Sequence, residues 1–255
     1  MTTALKINDL TVSYNGTPAI EQVSFEVQSG ERVAIVGPNG AGKSTLFKAM
    51  VGLLPAKKGS VQTDGAEIGY ITQRSAVDWS FPVTVHDVVM MGRIGKMGWL
   101  RWQRPIDRQI ARRSLAQVGL IDYAERQIGE LSGGQQQRVF IARALAQEAA
   151  ILLMDEPFAG VDTPAQAAIL RLLDHLRDEG MTVLVSTHDL NMAMEHCDQM
   201  ALLNRRLIAY GPPHQAINPE TLTSAYGERA LWQGDDYAMV LGDIDCCGGE
   251  GHRHD

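Results

Sequence analysis

Three short stretches carry residues whose types and spacing suit the handling of phosphate. The first is "GPNGAGKST", residues 37–45, which fits G-x-x-x-x-G-K-[ST] and lies between the apolar run "RVAIV" and a helical pattern. A strand before and a helix after are the context in which this pattern makes a phosphate-binding loop. Across Gly37, Pro38, Asn39, Gly40, Ala41 and Gly42, and above all at Gly40 and Gly42, the backbone is free to turn its N–H groups around phosphate oxygens. The start of the following helix adds partial positive charge at the same point. Lys43 would then reach the terminal phosphates, Ser44 would give its hydroxyl to Mg²⁺, and Thr45 closes the motif. The second stretch, "ILLMDEP", ends a buried-looking strand in an acidic pair. Asp155 is placed to share the Mg²⁺ with Ser44, and Glu156 to polarise an attacking water, since hydrolysis needs a base within hydrogen-bond reach.

The third stretch narrows the class. "LSGGQ", residues Leu131, Ser132, Gly133, Gly134 and Gln135, opens a helical pattern with two adjacent glycines. Together with the phosphate loop it resembles the signature of ATP-binding cassette (ABC) proteins. Other markers of that family stand in the same order: Tyr14 upstream, Gln73 closing "GYITQ", Asp162 closing "AGVD", and His188 closing "TVLVSTH". The resemblance spans about residues 4–235. It implies ATP and Mg²⁺ as cofactors, Tyr14 stacked on adenine, and Ser44, Gln73 and Asp155 around the Mg²⁺. Glu156, His188 and Gln73 are the implied catalytic set, and Asp162 the implied coupling residue between subunits. In that family two cassettes meet head to tail. The signature then reaches the γ-phosphate held by the partner's loop, and the glycines serve close approach of helix N–H groups to that phosphate.

The elements that must hold these residues are legible as hydrophobic patterns. "LKINDLTVSY" and "QVSFEVQ" alternate like half-buried strands around an "NGT" turn, whereas "RVAIVG" is a nearly continuous apolar run, as a strand covered on both faces would be. "SVQTD" and "EIGYITQ" add two short strands, and "LFKAMVGLL" a helix. From about residue 83 to 147 the period changes to three-to-four spacing in "TVHDVVMMG", "IDRQIARRSLAQVG" and "GQQQRVFIARALAQ". Strands return with "ILLMDEP" and "TVLVSTH", and "MALLNRRLIAYG" reads as a late hairpin. The expected architecture is an α/β P-loop NTPase core with a parallel sheet, an N-terminal antiparallel β subdomain and an inserted helical subdomain. Residues 4–235 form the ATP-binding domain on this reading, and 236–255 a loose Gly-rich tail.

Bulk composition sets the outer limits. A net charge of -7 gives no general attraction to nucleic acid or to an anionic membrane. Three cysteines, two of them adjacent, make no disulfide framework and fit a reducing compartment. No apolar run approaches the roughly 18 residues of a membrane span, and the start lacks the pattern of a signal peptide. These features predict a cytosolic protein, and the ABC resemblance implies a peripheral place on the cytoplasmic face of the cell membrane, through permease subunits.

Within the family, three classes compete: importer ATPases, soluble ABC proteins of repair or translation, and exporter or lipid-system ATPases. The chain has one cassette, no coiled-coil insertion and no fused transmembrane segment, which favours a stand-alone importer subunit. The stretch from Ser75 to Arg108, with "EPFAGVD", "STHDL" and "NPETLTSAYG", resembles the manganese, zinc and iron branch, and "GRIGKMGWL" its manganese-type members. The resemblance implies a homodimer on two permease subunits, fed by an extracytoplasmic metal-binding protein. Zinc, iron or an iron chelate is the alternative cargo. Exposed Trp79, Phe81, Met97 and Trp99 would suit a groove that receives a permease helix. Finally, Cys246, Cys247, His252 and His254 in the tail are soft and borderline ligands that suit Zn²⁺ rather than manganese.

Overall fold

The computed structural model describes residues 2–73, 81–97, 102–227, 230–232 and 238–240. Strands β1 (Thr3–Tyr14) and β2 (Thr17–Gln28) form a hairpin around Asn15–Gly16. Their inward residues, among them Leu5, Ile7, Ile20 and Val23, are inaccessible to solvent or nearly so, as the period-two pattern requires. Next come β3 (Arg32–Val36), α1 (Lys43–Met50) and β4 (Lys58–Gln62). β4 pairs antiparallel with β1, so it joins the hairpin in a three-stranded sheet rather than extending the core.

After β5 (Ile68–Ile71) the chain leaves the sheet for its helical insert. This contains α2 (Val85–Met90), a 3₁₀ turn (Met91–Lys96), α3 (Pro105–Gln117) and α4 (Gly133–Ala146). α2 begins where Thr84 and Asp87 cap each other reciprocally, and α3 begins with Pro105 at its first position. Val88, Leu115, Val139 and Phe140 then share one apolar cluster that continues into the core.

The core resumes with β6 (Ile151–Asp155), α5 (Thr163–Asp178), β7 (Thr182–Thr187), α6 (Leu190–His196), β8 (Gln199–Asn204) and β9 (Arg206–Gly211). Helices α7 (Pro213–Ala216) and α8 (Pro219–Tyr226) and a short pair, β10 (Ala230–Trp232) and β11 (Ala238–Val240), follow. That pair spans residue 236, where the sequence reading begins the tail.

The main sheet runs β5-β6-β7-β3-β8-β9, parallel up to β8, with β9 turning back antiparallel. β3 and β7 lie inside it and are buried at every residue, which explains their apolar runs. Because these strands are parallel, Val36, Asp155 and Thr187 end side by side at one edge. In an open α/β sheet that carboxyl edge is where ligands bind.

Candidate functional site

The first residues beyond three neighbouring strands are Gly37, Glu156 and His188. A cavity of about 470 Å³ opens there, lined by Ala19, residues 39–45, Gln73 and Glu156. The loop into α1 is held by a backbone that only glycine accepts easily. Gly42 caps the helix at φ 99°, and a Cβ on it would meet Ile20 Cγ2 at 2.4 Å and the Ala19 carbonyl at 2.9 Å. Lys43 is almost fully buried at 6% exposure. Its Nζ donates to the carbonyls of Gly37 (2.7 Å) and Pro38 (3.2 Å), and Glu156 Oε1 lies 3.9 Å away. Burial pushes the ammonium pKa below its ordinary value, while Glu156 and Asp155 pull it back up.

Asp155 is buried and held from two sides. Ser186 Oγ donates to its Oδ1 at 2.6 Å, and the Tyr70 hydroxyl donates to Oδ2 at 3.4 Å. Burial, and then the Asp155 charge, raise the Tyr70 pKa, so the phenol stays a donor. Glu156 adopts φ 48°, the left-handed region, which costs a residue with a side chain about 1–2 kcal/mol. Its N–H donates to both Ser186 Oγ (3.0 Å) and Ser186 O (3.2 Å), and these bonds hold the turn. The turned carboxylate accepts from Gln73 Nε2 at 3.3 Å. Thus Gln73, Lys43 and Glu156 meet at one cavity, with Asp155 directly behind.

Other expected residues sit apart. Tyr14 is exposed at the end of β1 and is not among the cavity-lining residues. His188 is exposed between β7 and α6. Asp162 caps α5, accepting from the Ala165 N–H at 2.8 Å. At the signature, Ser132 caps α4 reciprocally with Gln135: the Ser132 N–H donates to Gln135 Oε1 at 2.9 Å, and the Gln135 N–H to Ser132 Oγ at 3.4 Å. Gly134 is buried against α5, where a Cβ would meet Ala165 Cβ at 2.4 Å. Its smallness therefore serves a helix–helix contact within the chain.

Of the groove candidates, Phe81 is 62% exposed, while Met97 is partly buried against the helical cluster, contrary to its expected exposure. Trp79, Trp99 and the tail residues Cys246, Cys247, His252 and His254 lie outside the described residues. The sequence reading missed Met91, Ile94, Trp102 and Ile106, which are exposed in the same region. It also missed Ser186 and Tyr70. A serine directly after the apolar "VLV" of "TVLVST", in register with Asp155, was the available signal for Ser186.

The profile of the ABC transporter family matches residues 20–159, which contain the phosphate loop, Gln73, the signature and the acidic pair. The chain belongs to the ABC transporter family. It is 45% identical to the manganese transport system ATP-binding protein MntB of Bacillus subtilis, over 91% of this chain and 95% of that protein. To the zinc transport system ATP-binding protein TroB of Treponema pallidum it is 46% identical, over 89% and 88% of the two chains. Its fold superposes on a dimeric bacterial ABC transporter cassette with a TM-score of 0.70 at 29% identity, covering 82% of this chain and 98% of the other. As an ABC cassette the chain is an ATP-binding, ATP-hydrolysing subunit of a transport system. Among the described residues no helix is long and apolar enough to cross a membrane.

Proposed function

We propose that this chain is the ATPase of an importer for a divalent metal ion, manganese in the first instance, working as a homodimer on the cytoplasmic face of two permease subunits. An extracytoplasmic protein would deliver the ion. The observation that carries the ATPase reading is the Glu156 carboxylate turned into the phosphate-loop cavity beside Lys43 and Gln73. The manganese reading is supported by the relative from Bacillus subtilis and by the stretch "GRIGKMGWL". Zinc is the second reading, because the Treponema pallidum relative is as similar.

In this mechanism the loop N–H groups and Lys43 Nζ hold the β- and γ-phosphates, and Lys43 exchanges its bonds to Gly37 and Pro38 for them. Glu156 accepts a proton from the attacking water, with Gln73 orienting its carboxylate. His188, just beyond β7, contacts the γ-phosphate and stabilises developing charge. Tyr14 supports the adenine from the edge of β1. Ser132 reaches the nucleotide of the partner subunit, and Asp162, at the start of α5, couples the two subunits.

The donor set fits Mg²⁺: a buried carboxylate on Asp155, a hydroxyl on Ser44 and an amide oxygen on Gln73, oxygens only, as a hard cation prefers. When bound, Mg²⁺ supplies charge neutralisation on the phosphates. Ser186 and Tyr70 fix the Asp155 carboxylate by hydrogen bonds from the side of the sheet.

The permease side is the helical insert. Phe81, Met91, Ile94, Trp102 and Ile106 are five of the seven large apolar side chains exposed among the described residues, and all fall between residues 81 and 106. Such clustering marks a docking surface. The test is the elemental content of cells lacking this chain, in metal-limited medium. A selective loss of manganese, restored by the parent chain and not by Glu156→Gln, supports the proposal. A selective loss of zinc supports the second reading, and no loss of any metal refutes metal import.

A further inference from the structure

Arg93 is an inward-turned cation in an outward-facing segment. It lies in the 3₁₀ turn between exposed Met91 and Ile94, yet is only 3% exposed itself. Its Nη1 donates to the carbonyl of Ala146, the last residue of α4, at 2.7 Å, and to Glu148 Oε2 at 2.6 Å. Its Nε donates to Asp107 Oδ1 at 3.2 Å, and Asp107 is inaccessible to solvent. The final carbonyls of a helix lack intrahelical partners and carry partial negative charge, so a cation there both satisfies and fixes them.

Several further contacts fasten the same end of α4 to the core. Arg143 Nη2 donates to the Tyr70 carbonyl at 3.2 Å, and Gln147 Nε2 to that of Ile68 at 3.4 Å. Ala144 packs so closely on Gly69 of β5 that a Cβ there would lie 2.9 Å from its own. Lys96, at the end of the same 3₁₀ turn, is paired with Glu67 just before β5. The other end of α4, about 20 Å away at ~1.5 Å per residue, carries Ser132. There the packing neighbour is Ala165 of α5, across Gly134.

We propose that Arg93 is a positioning residue for the signature: by clamping the C-terminal end of α4 to Glu148 and Asp107, it sets the angle at which Ser132 is presented to the partner's nucleotide. This rests on the reading that Ser132 engages that nucleotide. A rod held at one end transmits the orientation of its anchor to its tip, and the anchor here is a three-way fork that only a guanidinium spans. Lysine, a single point charge, can satisfy one or two of the three acceptors.

The test uses the full chain with Glu156→Gln, in which ATP is bound but not turned over, and follows ATP-dependent dimerisation by sedimentation and ATP affinity of the monomer by titration. Arg93→Met should weaken dimerisation about tenfold while leaving monomer ATP affinity unchanged, and Arg93→Lys should fall between it and the parent. Because Arg93→Met leaves Asp107 with Arg104 alone and so costs folded stability, Glu148→Gln provides a second arm. It removes a charge from a carboxylate whose side chain is 57% exposed and should weaken dimerisation about two- to threefold. Dimerisation like the parent's in Arg93→Met and Glu148→Gln, with Ser132→Ala impaired, overturns the role of Arg93 and leaves the signature reading intact. Normal dimerisation in Ser132→Ala overturns both.

Discussion

Two helices of this molecule begin in glycine-containing turns, and they use glycine for different ends. At α1 the glycine is a backbone requirement: Gly42 stands at φ 99° with β2 against it, and it has no side chain to cap the helix. Lys43, Ser44 and Thr45, the first turn, line the cavity, and no side chain caps their helix. At α4 the turn is closed by its own residues, with Ser132 and Gln135 capping each other, and Gly134 is small because Ala165 is in contact with it. The first turn is built to receive an anion by its backbone. The second presents an exposed serine on a helix whose seat is fixed by packing. A glycine pair in sequence thus reports close approach without saying to what.

The sharpest separation of binding from turnover comes from Glu156→Gln. Loss of the base should cut ATP hydrolysis by about 10²- to 10⁴-fold while ATP binding and dimerisation persist, as phosphate-release and sedimentation assays would report. Undiminished hydrolysis would remove Glu156 as the base. Lys43→Ala strikes the α1 end alone and should weaken ATP binding by roughly 30-fold, the scale of a lost charge-assisted hydrogen-bond set. An unchanged affinity in calorimetry would refute the phosphate-loop assignment.

The two glycines can be set against each other directly. Gly42→Ala and Gly134→Ala should each destabilise by about 1–3 kcal/mol, the first through strain and collision, the second through overpacking. Only Gly42→Ala should also weaken ATP binding by the folded protein. Equal loss of ATP affinity in both variants would mean that the helix starts do not divide as described. The same physics makes Gly134→Asp a poor probe of dimer closure, because it would damage the α4–α5 contact first.

The smallest effect concerns the anchor of α4. Hydrogen bonds from Arg104 hold the Asp107 carboxyl down to about 2, against 3.8 for a free aspartate, with Arg93 adding to the shift. A folded-state value below the unfolded one means that the charged pair stabilises the fold above about pH 3.8, and that this contribution fades as pH falls towards 2. The difference in thermal stability between the parent and Asp107→Asn should therefore be full at pH 5 and shrink at pH 2.5. A difference constant across that range would exclude the charge as its origin.

What the sequence made legible was local. The nearly continuous apolar run of β3, the change of period at the helical insert and the strand-to-helix setting of residues 37–45 all report on a residue's immediate neighbours, and each is found where the pattern puts it. Partners across the fold were not legible. Nothing in "SVQTD" says that β4 pairs with β1 and not with the main sheet, because an exposed short strand carries no address. Ser186 is a plain strand residue until β6 and β7 are set side by side and its hydroxyl meets Asp155. Arg93 reads as one more cation of a basic surface stretch, and only the end of α4 shows why it turns inward.

On the proposed mechanism the α1 turn of one chain and the α4 turn of another share one nucleotide. Mixing two inactive variants tests it most directly, with Glu156→Gln present in both so that bound ATP is retained. One chain carries Lys43→Ala and the other Ser132→Ala, and ATP retained by the dimers is measured. If the site is shared between chains, the mixed dimer has one intact site and should hold one ATP, while either variant alone holds none. Mixed dimers that retain no more ATP than the separate variants would contradict the shared site and return the signature to its own chain.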